Sequence, residues 1–485
     1  MPWFASGMRC LPLALAAAPA LFAQDADLPE RLFRSGERAY TIHAYPEAID
    51  TWNQLIQQAP RSPFAAHALM NLARHQVEVE QKPQAALPFL ERIKAEHAQS
   101  PWAAEAMLLR GRLLAARCHA PAELKEAQAE FDRVVDLFPD HPCVPEARFE
   151  LGRCCRLQGQ WGRAFQNFIE AVRLDPVSPV ARQAQLLAAE TLDLMGDTTG
   201  CLRMLQALRN RFPQSDEARE AQWRIQVRVK ERIQRPPLRS RGPWPEGRQK
   251  WLKTPTLLAT GPAGQLYVYQ DDQDQASLLQ DGRLSPAGPP VKGAKAMVAT
   301  PAGQVWLVTR AGVAREAAPP AGGPGFQAPT GAALDGWGNL WVSDARAQAI
   351  EILPPEGPSR QVPVAGAAAL APLPTGGVVA AADASRSLLF LDAQGRTRVS
   401  VPYGKGLPAP FRAVLALASD PLGHVAALVD GDFEGVAVWG PDGALLRSAT
   451  YKSLGLSGKF RAIAMDRQGS LILADRSNDL LIRID

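Results

Sequence analysis

Histidine is scarce and unevenly placed: the chain has seven, and only His424 follows His141. A His-based metal centre needs several imidazoles converging on one ion, which argues against one in the C-terminal half. The same scarcity leaves no Ser/His/Asp grouping there, and no G-x-S-x-G, P-loop or H-E-x-x-H motif occurs. Cysteine is sparse too: six residues, none after Cys201 and no C-x-x-C pair, which argues against a thioredoxin-type site and a zinc knuckle. An excess of one charge is also missing. Lys+Arg number 53 against 49 Asp+Glu, and the resulting +4 is too small to imply a nucleic-acid partner.

What is there begins with Met1–Ala23. Arg9 is basic, Leu11–Leu21 is apolar, and Ala20–Ala23 are small residues ahead of Gln24. This is the layout of a secretory signal cleaved near Ala23, too short to span a bilayer. Met8 is an alternative start, since MRCLPLALAAAPALFA is a complete signal by itself. Cys10 precedes the apolar core and so is no lipid-anchor cysteine. The mature chain is expected to be exported, periplasmic or extracellular, without a transmembrane segment.

Residues 24–234 show helical periodicity and few strand signals. Gly152, Ala164, Phe168, Ala171 and Pro176 set a spacing that returns as Gly36, Ala48, Trp52, Pro60 and as Gly111, Ala127, Phe131, Pro139. The marks Ala48, Ala86, Ala127, Ala164 and Cys201 lie about 37–41 residues apart. Phrases such as SPFAAHA, SPWAAEA and SPVARQA open helices, with Ser as cap and Pro in the first turn. This pattern resembles the tetratricopeptide repeat, in the long-pitch form of bacterial envelope assembly factors. The resemblance implies a groove lined by first-helix residues Phe33, Glu37, Tyr40, Asn71, His75, Arg112, Phe149, Arg153 and Arg156. Such a groove suits an extended peptide or its terminal carboxylate, and the arginines Arg112, Arg153 and Arg156 are the expected anchors. Ser215–Gln234 reads as a helix capping the solenoid.

Residues 235–250, rich in Pro and Arg, read as a linker. Residues 251–485 change period. The stretch GAALDGWGNLWVSDARAQAIEIL at Gly331–Leu353 is a run of short strands broken by a Gly turn. Turn glycines Gly264, Gly303, Gly338, Gly376, Gly423 and Gly469 recur roughly every forty residues, the pitch of a propeller blade, for about six blades. The form D-x-x-G-N-L-W-V-S-D at Asp335–Asp344, with a weaker copy at Asp466–Asp475, resembles the NHL repeat. Because the last blade lacks a fourth strand, residues near Glu246–Leu252 are expected to supply it.

Arg310, Arg346, Arg386 and Arg476 follow the second strand in four blades. A ring of them would hold carboxylates or phosphates; the alternative pairs each with its own blade's Asp344, Asp383 or Asp475. Asp430, Asp432 and Glu434 match the first half of a Ca²⁺ loop, but Pro441 stands where the closing Glu belongs, so a hairpin turn is expected. Cys118 could bridge to Cys154 or Cys155; buried free thiols are the other reading.

The expected fold is thus multidomain α + β, an N-terminal all-α tetratricopeptide solenoid and a C-terminal all-β six-bladed propeller. The expected function is an exported interaction scaffold for a protein or extended peptide partner in the cell envelope, without a cofactor and not an enzyme. A propeller hydrolase or lyase with a helical accessory domain is the competing class.

Overall fold

The computed structural model describes residues 28–246, 251–261, 264–315 and 325–485. The secretory signal and its cleavage point lie outside the described residues. No described helix is long and apolar enough to cross a membrane. Two compact units emerge, up to Met195 and from Gly196 to Asp485.

The first unit is built of α1 (Leu28–Thr41), α2 (Tyr45–Gln58), α3 (Pro63–Glu78), α4 (Pro83–Glu96), α5 (Trp102–Ala116), α6 (Lys125–Leu137), α7 (Val144–Leu157), α8 (Trp161–Leu174) and α9 (Pro179–Leu194). Ser62 and Ser178 accept backbone N–H groups at the starts of α3 and α9, and proline occupies the first turn of each. Helices pair as α1/α2, α3/α4, α5/α6 and α7/α8, and the first helices of successive pairs touch one another. The repeat spacing has a steric cause. A Cβ added at Gly36, Gly111 or Gly152 would stand 2.4–2.6 Å from the ring of Trp52, Phe131 or Phe168 respectively. Only glycine lets each second-helix ring lie flat on the first helix.

The second unit opens with α10 (Thr198–Arg211), α11 (Asp216–Arg228) and a π-helical turn at Val229–Gln234. These helices sit in one compact unit with the strands, which corrects the reading of Ser215–Gln234 as a solenoid cap. Glu231 ion-pairs with Arg447 at 2.5 Å, and both side chains are 2% exposed. Trp223 lies under Arg467, 5.2 Å from its ring centre. Such anchoring needs an inward polar face, where a solvent cap would need an outward one.

The strands form six small antiparallel sheets. β1 (Ser240–Pro243) stands apart in sequence. Blade 1 is β2 (Pro255–Thr260), β3 (Leu266–Gln270), β4 (Gln275–Gln280) and β5 (Arg283–Pro286). Blade 2 shows three strands among the described residues, β6 (Ala296–Ala299), β7 (Val305–Thr309) and β8 (Gly312–Arg315). Blade 3 is β9 (Pro329–Leu334), β10 (Leu340–Asp344), β11 (Ala349–Leu353) and β12 (Arg360–Pro363). Blade 4 is β13 (Ala367–Pro372), β14 (Val378–Ala382), β15 (Ser387–Leu391) and β16 (Thr397–Pro402). Blade 5 is β17 (Phe411–Ser419), β18 (Val425–Gly431), β19 (Gly435–Trp439) and β20 (Leu445–Thr450). Blade 6 is β21 (Phe460–Met465), β22 (Leu471–Asp475) and β23 (Leu480–Ile484), completed by β1. First strands adjoin in the order β2, β6, β9, β13, β17, β21 and back to β2, closing a ring.

β1 pairs with β23 through Ser240↔Ile484 and Pro243↔Ile482. The fourth strand of the last blade therefore does come from ahead of blade 1, but from Ser240–Pro243. The expected segment at Glu246–Leu252, part of which lies outside the described residues, is corrected, and the stretch 235–250 is more than a linker. Arg239 and Asp485 exchange backbone hydrogen bonds, which extends the pairing by one residue on the N-terminal side.

The D-x-x-G turn is a carboxylate device. Asp335 accepts the N–H groups of Trp337 and Asn339, the Asn339 amide and the Trp341 indole. Asp420 does the same for Leu422 and His424, and Asp466 for Gln468 and Ser470. Asp fits because its oxygens reach the backbone two and four residues on.

Cys118, Cys143, Cys154, Cys155 and Cys201 are all free and buried, so no bridge joins Cys118 to Cys154 or Cys155. Burial pushes the Cys118 thiol up to about 11 and that of Cys143 up to about 12, which suppresses the reactive thiolate.

Candidate functional site

Each first helix packs against its own partner and against neighbouring first helices, so only a narrow stripe stays open. On α3 that stripe is Phe64, His67, Asn71 and Arg74, spaced three or four residues apart. On α5 it is Trp102, Glu105, Leu109 and Arg112. This two-sided burial corrects several expected groove residues. Phe33, His75 and Phe149 are buried. Tyr40 is half-buried, its ring 5.3 Å from Trp52 and 5.7 Å from His75. Asn71 is engaged with the Glu37 carboxylate.

The arginines expected to await a ligand carboxylate have carboxylates already. Arg112 reaches Glu146 at 2.8 Å and Glu150 at 2.9 Å. Arg153 reaches Glu150 at 3.1 Å, and Arg156 reaches Glu190 at 3.0 Å. Arg74 pairs likewise with Glu105. The result is a ladder in which an arginine late in one first helix meets a glutamate of the next. Glu150 and Glu146 hold Arg112 above its usual range although burial opposes them. Sequence reading missed Glu150 and Glu190 as partners of Arg112 and Arg156 because they lie one repeat ahead, although Glu150 also stands three residues before Arg153 on the same helix.

An aromatic shelf at the N-terminal end was missed as well. His67 stacks on Trp102 with ring centres 3.9 Å apart, and the Phe33 ring lies 4.4 Å from that of His67. Phe64 is 5.6 Å from Phe33, and the Arg74 guanidinium sits 5.6 Å over Trp102. The signal was in the phrases SPFAAHA and SPWAAEA, which set Phe64 and Trp102 at the same point of successive helices. Burial, then the positive Arg74, lowers the His67 pKa to about 4, so the shelf is uncharged at neutral pH.

A depressed histidine pKa means that the unfolded chain binds the proton more readily. His67 therefore contributes stability that is full above about pH 6.5 and is lost as pH falls toward 4. A thermal melt of the full chain should shift down between those limits. The His67→Phe protein should show a smaller shift; identical pH profiles for the two proteins would refute the assignment.

On the propeller, Arg310, Arg346, Arg386 and Arg476 occupy the loops after β7, β10, β14 and β22, and all are exposed. They do not pair with their own blade's acids. Arg476 reaches Asp271 of blade 1 at 3.3 Å, and Arg386 donates to the Phe411 carbonyl of blade 5 at 2.8 Å. The guanidinium groups of Arg310 and Arg346 meet no carboxylate among the described residues. The acids are occupied elsewhere: Asp344 accepts from the backbone of Gln327, Ala328, Arg346 and Ala347. Burial raises its pKa, but these donors outweigh it and hold the carboxyl below its usual range. Tyr403 donates to Asp383 at 2.7 Å.

Asp430, Asp432 and Glu434 fall at the hairpin between β18 and β19, where Arg412 engages Asp430 at 3.1 Å. No cluster of three His, Cys, Asp or Glu suited to a metal ion occurs among the described residues. The structure instead brings Arg386, Arg412, Asp430 and Asp432 around one hollow of about 370 Å³ over Phe411. His424 is 1% exposed and its Nδ1 bonds Asp420 at 2.7 Å, the place that Asn339 takes in blade 3. The propeller's lone histidine is a turn residue.

Fold and surfaces together define a tetratricopeptide solenoid followed by a six-bladed β-propeller. Residues 122–179 and 183–215 match two family models, each described as tetratricopeptide repeat. No curated protein matches the chain. Virginiamycin B lyase from Staphylococcus aureus is similar in fold at 12% identity and a TM-score of 0.37, over 51% of this chain and 98% of that one. A putative gluconolactonase gives 18% identity and a TM-score of 0.39, over 51% and 97%. The tetratricopeptide protein YrrB gives 17% identity and a TM-score of 0.31, over 39% and 90%.

Proposed function

We propose that the chain is an exported interaction scaffold of the cell envelope. It holds an extended, apolar segment of a partner protein on the first-helix face and offers the propeller as a second platform. The observation that supports this is the half-open shelf of Phe64, His67 and Trp102. Flat rings order little on binding and present large contact area to a peptide. The saturated Arg–Glu ladder beside it favours apolar side chains over a terminal carboxylate. The competing enzyme reading would need a reactive group at an open face, whereas His424 is sealed in a turn.

Binding should be measured by fluorescence anisotropy of the full chain against a library of extended peptides carrying aromatic or proline residues. Trp102→Ala should weaken the best binder at least tenfold, about 1.4 kcal/mol or more. Arg153→Ala/Arg156→Ala should instead disturb packing between helices and leave affinity for the shelf nearly unchanged. Equal affinity of the parent and the Trp102→Ala protein for every peptide would sink the reading.

A further inference from the structure

The face shared by α3 and α5 is uneven in its hydrogen-bonding groups. The Trp102 backbone N–H donates to the Ser100 hydroxyl at 3.2 Å. Its indole N–H and the His67 ring nitrogens have no hydrogen-bond partner among the described residues, and both side chains are half-buried. An uncharged imidazole brings one N–H and one acceptor nitrogen. The carboxylates nearby already have donors: Glu105 accepts from Arg74, and Glu37 accepts from the Asn71 side chain. The open ring groups are therefore two N–H donors against one acceptor. An ordinary extended segment brings an N–H with every carbonyl and would leave most of its donors unanswered here. A proline brings the carbonyl without the N–H.

We infer that this face takes a proline-rich stretch of a partner protein in the polyproline II form. Its pyrrolidine rings pack on Phe64, His67 and Trp102, and its carbonyls accept from the Trp102 indole and the His67 N–H. Polyproline II makes no internal hydrogen bonds, so its carbonyls stay available, and it is ordered before it binds. The length fits as well. Phe64 and Arg74 are ten residues apart on α3, about 15 Å of helix, which five residues of polyproline II would cover. The inference rests on reading this face as a peptide platform and adds the chemical class of the peptide.

The test is a polarisation titration of the full chain with two dye-labelled heptapeptides. One is Gly-Pro-Pro-Leu-Pro-Pro-Gly, and the other carries alanine in place of each proline. The proline peptide should bind about tenfold or more tighter than the alanine one, the size expected for two hydrogen bonds and a pre-ordered chain. Trp102→Phe keeps an aromatic ring and removes its N–H, so it should lower that ratio several-fold while helicity stays intact. Equal binding of the two peptides, no binding of the proline peptide, or an unchanged ratio in Trp102→Phe would overturn the inference. So would self-association of the chain that Trp102→Ala abolishes, which would give the face to a second copy. Should proline-free peptides bind as tightly and still depend on Trp102, the inference fails and the platform reading stands. If Trp102→Ala changes the binding of no peptide, both fall.

Discussion

Replacing Arg447 with alanine should destabilise the C-terminal unit by about 3–5 kcal/mol, as expected when one partner of a buried ion pair is removed. Arg447 belongs to the outer strand of blade 5 and Glu231 to the π-helical turn, and their side chains are shut off from solvent together. Burial pushes the Glu231 carboxyl up despite Arg447, and pushes Arg447 down despite Glu231. Both directions say that lost hydration outweighs the mutual attraction. The pair is therefore a weak source of net stability but a strong constraint: without Arg447 the buried carboxylate keeps only the weaker attraction of neighbours such as Lys230 to offset its lost hydration. The Glu231 carboxylate also lies beside Gly469, where an added Cβ would stand 3.0 Å from its oxygen. Urea midpoints of the parent, Arg447→Ala and the double change Glu231→Leu/Arg447→Met should separate the terms. The single change should fall sharply and the double should recover most of the loss. A single-mutant cost below about 1 kcal/mol would show that the pair is hydrated and exchangeable.

The second large effect concerns β1. Substituting residues 239–244 by a Gly-Ser stretch of equal length should lower the propeller's melting temperature by roughly 10 °C. The Arg241–Asp485 contact at 2.9 Å would go, and the freer Gly-Ser backbone would weaken the bonds now made by Arg239 to Asp485 and by Trp244 to Leu481. Blade 6 would then present β23 as an unpaired edge. A loss of about 3–4 kcal/mol converts to that shift at roughly 2–4 °C per kcal/mol for a unit of this size. Self-association on warming should accompany it, because an open edge strand templates pairing with a second chain. Unchanged melting and no light scattering would show that blade 6 is complete with three strands.

Much of the fold was legible because its devices are local. Gly36 and Trp52, or Gly152 and Phe168, sit at a fixed spacing because one ring must lie on one bare Cα. Asp335 and Gly338 recur because a carboxylate and a positive φ make the same turn in successive blades, with φ near +81° at Gly338. The binding faces were less legible, since they depend on which side of a helix stays open. Phe149 and Arg153 are one turn apart on α7, yet the first is buried and the second half-exposed. The partners of Arg112 and Arg156 lie 34 to 38 residues away, beyond the reach of helical spacing rules. The Asp430 turn is the hairpin expected from the sequence: its oxygens have ligand-like order, but Arg412 from the neighbouring strand claims the first of them.

The pairing of Ser240 with Ile484 also sets an order of events during synthesis. β1 emerges from the ribosome before any blade exists and has no partner until β23 follows it, with five blades made in between. Throughout that interval its edge is an unsatisfied strand next to a growing stack of half-closed sheets. Ring closure thus has to await β23 and brings together segments far apart in the chain, a slow kind of contact to find. A chaperone that shields Ser240–Pro243 would act on the one stretch whose wait is longest.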